Sequence, residues 1–294
     1  MNKRAVTLTI IAKMTSNYGE SLGNISSVQK VYIKGKAYAI RSRESLKNAI
    51  MVQSNMYDDL EVSIDGAAQK LVSKEKDATN CKALEGGYMN TSDNTYVRKS
   101  SFYVTDAVSC DEFINETRFH NNLHLATTYA KQNEINLQKK SKECGLMPYQ
   151  YEYDKSLKIY SMTIDLDMIG KDESFDNKEA SNEEKAKRVI ALLRGVENLA
   201  LVVKGNLDNA EPLFVVGGLT NRKTHYFENV VNVKENELIV TDDLKNRIEN
   251  GCMVGFLEGG NFKNEGEIKA KLNPQSVSSF FNELEKQVKE NYGV

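Results

Sequence analysis

Two of the three histidines, His120 and His124 in F-H-N-N-L-H, lie close together in sequence. An imidazole near neutral pH serves as general acid or base, and a pair spaced four residues apart on a helix shares one face, where it would also suit a metal ion. No acidic residue completes an H-E-x-x-H motif, and Cys110 and Cys144 have no ligand spacing, so satisfied or exposed imidazoles are the plainer reading. Asp165 and Asp167 share a strand face, where they would hold a cation or line a solvated edge. The chain contains no G-x-x-x-x-G-K-[ST], which leaves nucleotide hydrolysis without its motif.

A denser set of functional groups lies between Met14 and Ile50, a polar loop rich in Asn, Ser and Gly followed by cations and a Ser-capped helix. Residues 1–50 carry nine Lys/Arg against two Glu, a balance of +7, whereas the whole chain is −2 and the remainder therefore −9. Such asymmetry points to one polyanion-facing surface on an acidic protein. Backbone N–H donors, small polar side chains, cations and a helix start together suit phosphate. An ordinary solvated loop is the competing reading.

These groups need a scaffold. Val6, Leu8, Ile10, Ala12 and Met14 alternate onto one face of a first strand, and the other face (Ala5, Thr7, Thr9, Ile11, Lys13) reads as partly solvated. Ser42 caps a helix whose Leu46, Ala49 and Ile50 follow helical spacing. Residues 52–148 read as an irregular polar insertion with one helix near 121–136. Tyr149, Tyr151 and Tyr153 alternate, Asp154-Lys155-Ser156 offers a turn, and Tyr160, Met162, Ile164, Leu166 and Met168 alternate again, which predicts a hairpin. Ser181-Asn182-Glu183-Glu184 is a capping box before the stripe Ala186, Val189, Leu192, Leu193, Val196. Strands over 199–203 and 213–216 follow, Gly217-Gly218 reads as a strand-end turn, and 230–240 as a further β segment. Asn273-Pro274 reads as N-cap and N1 of a last helix with Val277, Phe280, Phe281, Leu284 and Val288 buried. Strand, helix, strand, strand, helix, strand is the order of an α+β, RRM-like or ferredoxin-like unit: an antiparallel sheet with helices on one face and an open face that commonly serves RNA.

At 294 residues with 40% hydrophobic and 27% charged residues, the composition is that of a globular protein. Four scattered cysteines without a CxxC pair fit reduced thiols in a cytoplasmic setting. The start M-N-K-R-A-V-T-L-T-I-I-A-K-M reads as a strand rather than a secretory signal, and no apolar run approaches a membrane span.

The N-Y-G-E-S-L-G-N-I-S-S-V-Q-K loop and the A-I-R-S-R-E-S-L-K helix start resemble the DevR-type backbone subunits of the CRISPR Cascade complex, RAMP proteins of type I-B-like systems. I-D-L-D-M-I-G and P-L-F-V-V-G-G-L-T-N-R-K add to the match. The resemblance implies a palm over 1–51 and 149–294, a finger-like insertion over 52–148 and a thumb segment near 217–240. It implies a cofactor-free, non-enzymatic RNA-binding protein without a membrane partner. Its copies would polymerise head to tail along a CRISPR RNA, grip its phosphates and display its bases to a target DNA strand, with other Cascade subunits at the filament ends. Carried over, the phosphate-gripping positions are Ser16, Asn17, Asn24, Lys30, Arg41, Ser42, Arg43 and Ser45, with Lys34 and Lys36 beside them. Asn221, Arg222, Lys223 and His225 would add RNA contacts, and Tyr226 or Phe227 a wedge. The alternative is a metal-independent endoribonuclease that processes CRISPR RNA with His120 and His124. A DNA-binding autoregulator is a third reading, for which no helix-turn-helix pattern is found.

Overall fold

The computed structural model describes residues 2–19, 25–91, 94–175 and 179–294. In chain order the elements that matter are β1 (Ala5–Thr15), β2 (Lys30–Ile33), β3 (Lys36–Arg41), α1 (Arg43–Gln53), β4 (Phe102–Val104), β5 (Ala107–Ser109), β6 (Thr117–Asn121), α2 (Leu123–Gln132), β7 (Pro148–Glu152) and β8 (Lys155–Asp165). They continue with α3 (Asn182–Glu197), β9 (Ala200–Val203), β10 (Asn206–Asn209), β11 (Pro212–Thr220), α4 (Asp242–Glu249), β12 (Met253–Phe256), α5 (Glu265–Leu272) and α6 (Val277–Tyr292).

β1 lies between β8 and β11, antiparallel to both, with Ala5 opposite Asp165 and Thr220. β4 and β5 pair with the far edge of β8, so the strand order is that of the ferredoxin-like unit. β12 extends the sheet beyond β11, and β3 and β2 extend it beyond β5. The second core strand therefore comes from residues 102–109, inside the expected insertion, and the expected hairpin of 149–153 with 156–168 does not form. β8 spends one edge on β1 over its whole length and the other on β4 and β5, which leaves none for β7. β7 pairs instead with β6 and with Ile25–Ser26 in a separate sheet.

The apolar face of β1 (Val6, Leu8, Ile10, Ala12, Met14) is fully buried. It packs on Leu46 and Ile50 of α1, Val189, Leu192 and Val196 of α3, and Phe280, Phe281 and Leu284 of α6. The other face is not solvated as expected: Ala5, Thr7, Thr9 and Ile11 are also fully buried. Residues 226–272 form a second layer there, with Phe227, Val231, Leu244, Phe262 and Ile268 clustered with Ile11. The threonines tolerate this because Thr9 Oγ1 meets Ser161 Oγ at 2.7 Å and Thr7 Oγ1 donates to the Thr224 carbonyl at 3.1 Å.

Ser42 and Ser181 cap α1 and α3, accepting from the N–H of Ser45 and Glu184. The last helix starts later than expected. Asn273 adopts φ +43° as the terminator of α5, Pro274 follows it, and Ser276 caps α6 by accepting from Ser279 N at 3.1 Å. Gly217 and Gly218 lie inside β11 rather than at its end, and a Cβ on Gly217 would collide with the Thr7 carbonyl oxygen. Residues 226–238 do not project either: Phe227, Val231, Val233 and Leu238 are core residues, so Phe227 is no wedge. β9 and β10 pair in a hairpin outside the large sheet, with Val202 and Leu207 exposed as a cross-strand pair.

Candidate nucleic-acid interface

The C-terminal end of β1 gathers a polar corner. Thr15 N donates to Asp208 Oδ2 at 2.7 Å, and Lys155 Nζ lies 3.0 Å from Asp208 Oδ1. Ser16 Oγ donates to Asp154 Oδ2 at 2.8 Å. Lys158, fully buried, reaches the same carboxylate oxygen at 2.5 Å and the Met14 carbonyl at 3.0 Å. Asn17 Oδ1 accepts from Ser42 N at 2.7 Å, tying the loop to the start of α1.

Arg41 closes the corner. It is 4% exposed, and its Nε donates to the Thr15 carbonyl at 3.1 Å while Nη1 donates to Ser45 Oγ at 2.9 Å in the first turn of α1. Its Nη2 is buried without a hydrogen-bond partner among the described residues. Burial lowers the Arg41 pKa, opposed by Asp208. Burial likewise lowers that of Lys158, opposed by Asp154. Burial works against the Asp208 carboxylate too, but the hydrogen bonds from Thr15 and Lys155 outweigh it and hold its pKa below the usual range. The result is a desolvated, donor-rich site whose guanidinium N–H is unmet among the described residues, beside a helix N-terminus, chemistry that favours an anionic oxygen.

Ser16, Asn17, Arg41, Ser42 and Ser45 thus meet in one place. Asn24 lies outside the described residues. Lys30 is spent on Glu152 at 2.5 Å and sits over the Phe113 ring. Lys34 is exposed at the tip of the β2–β3 hairpin, where Lys34 and Gly35 both take positive φ, and Lys36 pairs with Glu112 at 2.9 Å on the surface. Arg43 points outward beside Glu44, and its backbone N–H donates to Asp106.

The second expected group sits at the opposite end of β1, about 33 Å away along the strand. Asn221 and Arg222 are exposed, with Arg222 over the Tyr226 ring. Tyr226 is half-buried, and its N–H donates to Thr7 Oγ1. The cation held by Asp165 and Asp167 is Lys223, whose Nζ is 2.7 Å from each carboxylate. His225 Nδ1 is 2.9 Å from Thr163 Oγ1, and burial pushes its pKa down. A histidine with a depressed folded pKa adds stability that is complete above the unfolded value near 6.5 and is lost as pH falls through the lower folded value. Urea titrations of wild type and His225→Gln are expected to diverge most above about pH 6.5 and to converge in acid.

His120 belongs to β6 and His124 to α2, so they do not share the helical face that their spacing predicts. Burial pushes the Cys110 thiol up to about 12 and the Cys252 thiol to about 11, away from the nucleophilic thiolate. Among the described residues no group of three His, Cys, Asp or Glu is arranged to hold a metal ion, and no helix is long and apolar enough to cross a membrane. Sequence reasoning missed Asp154, Lys158, Lys155 and Asp208. The one available signal was two lysines and an aspartate at the start of an otherwise apolar alternating strand.

The family described as CRISPR-associated negative auto-regulator DevR/Csa2 matches residues 6–242. A chain from a solved CRISPR RNA-guided surveillance complex in a pre-nicking state has a similar fold, with a TM-score of 0.63 at 12% identity over 98% of this chain and all of that one. A chain from another CRISPR RNA-guided surveillance complex gives 0.57 at 14% identity over 96% and 98%. No curated protein matches the sequence. With its ferredoxin-like sheet and a family match across most of its length, the chain belongs to the CRISPR-associated DevR/Csa2 family.

Proposed function

We propose that this protein is a crRNA-binding backbone subunit of a cytoplasmic type I CRISPR surveillance complex. It polymerises head to tail along the guide and presents the bases to target DNA, without catalysing a reaction or using a cofactor. The observation that carries this reading is the corner at the end of β1, where buried Arg41 has an Nη2 donor without a partner among the described residues, at the start of α1. A phosphate oxygen satisfies that donor and adds charge-assisted hydrogen bonds. Ser42, Ser45 and backbone amides recognise backbone rather than base, as a subunit serving many guide sequences requires. Family membership supplies the CRISPR context.

Mobility-shift titrations with two unrelated single-stranded RNAs and one duplex DNA test this. Similar affinities for both RNAs, falling steeply with salt, are expected. Binding confined to one duplex DNA sequence would overturn the proposal in favour of an autoregulator.

A further inference from the structure

The tyrosines that alternate at 149, 151 and 153 have no place in the backbone grip. The register of β6 and β7 sets Arg118 opposite Tyr151 and His120 opposite Tyr149, so these side chains share one face of the small sheet with Tyr153. The His120 ring lies 4.9 Å from that of Tyr151 at 10° and 5.5 Å from that of Tyr149 at 19°. The Tyr149 and Tyr151 rings are 6.4 Å apart at 21°, so the three near-parallel rings form a triangular cluster; Tyr18 meets Tyr151 edge-on at 5.9 Å, and Tyr149 is 44% exposed. Cations border it: Arg118 lies 3.5 Å over Tyr153 while paired with Glu116, and Lys204 lies 4.9 Å over Tyr18.

Two features distinguish this face from an uncovered core or a protein-docking patch. The reverse side of the same sheet carries exposed Phe119 and Ile25, an apolar surface of a different kind. The stacked side opens into a cleft lined by Tyr18, Arg118, Tyr151, Lys204 and Thr15, and Thr15 belongs to the polar corner itself. Aligned rings with cations beside a phosphate-binding corner form a sequence-tolerant surface for unpaired bases. We infer that the aromatic cluster of Tyr18, Tyr149, Tyr151 and His120 is a base-stacking platform for the single-stranded RNA whose phosphates bind at the corner. This rests on the RNA-binding reading and adds a second contact class to it.

The test uses full-length protein and single-stranded RNA containing 2-aminopurine. Wild type is expected to quench the fluorophore on binding. Tyr149→Ala/Tyr151→Ala is expected to lose the quench and roughly 10-fold in affinity, with the salt slope unchanged because no phosphate contact is removed. Tyr149→Phe/Tyr151→Phe keeps both properties, and His120→Ala, judged folded by circular dichroism, serves as a second disruption. Equal affinity and quench in all variants would overturn the platform while leaving the RNA-binding reading intact. So would unchanged RNA binding with altered self-association, which would make this face a contact between copies. Wild type that binds no RNA would overturn both.

Discussion

Replacing Glu85 by alanine is expected to destabilise the protein by about 3–5 kcal/mol, because it leaves the buried Arg98 guanidinium without a carboxylate and that of Arg188 with only the partly exposed Glu184. Glu85 is fully buried. Its Oε2 accepts from Arg98 Nη2 at 2.9 Å, and its Oε1 accepts from Arg188 Nη1 at 2.8 Å and from Gly170 N at 2.7 Å. Ser101 Oγ donates to the same carboxylate. The two arginines also satisfy main-chain carbonyls across the structure: Arg98 those of Leu84 and Met168, Arg188 that of Ala78. One carboxylate therefore pins residues 78–101 to α3 and to the turn after β8. Thermal denaturation should show a drop on the order of 10 °C, and limited proteolysis should open residues 52–101 first. A loss below about 1 kcal/mol would mean that the insertion is held by its own small core around Leu84 and Tyr88.

Arg41→Lys is expected to weaken single-stranded RNA binding by about 10- to 100-fold while the protein stays folded. Lysine preserves the charge but cannot reproduce the fork that spans Thr15 O, Ser45 Oγ and a third acceptor. Arg41→Ala should do more, removing two buried hydrogen bonds from a charged donor and costing about 2–3 kcal/mol of stability. Its log affinity against log salt should flatten by about one unit for one lost phosphate contact. Filter binding across a salt series measures both effects. Unchanged affinity in a folded Arg41→Lys variant would show that the guanidinium is structural and that phosphate binds elsewhere.

Much of the scaffold was legible because it is written locally. Alternation gave the face of β1 from Val6 to Met14, and Ser42 and Ser181 announced their helices through short-range caps. Pairing was less legible. The alternation at Tyr149–Tyr153 marks a strand correctly but does not say that β8 already has both edges filled. Thr7 and Thr9 read as solvated because the layer that covers them arrives more than 200 residues later. Asn273-Pro274 serves the end of one helix as readily as the start of another, and a left-handed Asn decided for the end.

Part of the corner was visible as a run of small polar and basic residues. That view treated Arg41 and Lys30 as surface cations, whereas Arg41 is buried and Lys30 is spent on Glu152. The groups that set the corner's electrostatics, Asp154, Lys158 and Asp208, lie over 100 residues away in sequence and give no spacing signal.

The most direct test is the nucleic-acid content of the protein purified after co-expression with its complex partners and a CRISPR array. A discrete RNA of guide length, in a particle far larger than one chain and dependent on Arg41, is the expected result. A nucleic-acid-free monomer that cleaves added precursor RNA, and loses that activity with His120→Ala or His124→Ala, would contradict it and make the protein a processing nuclease.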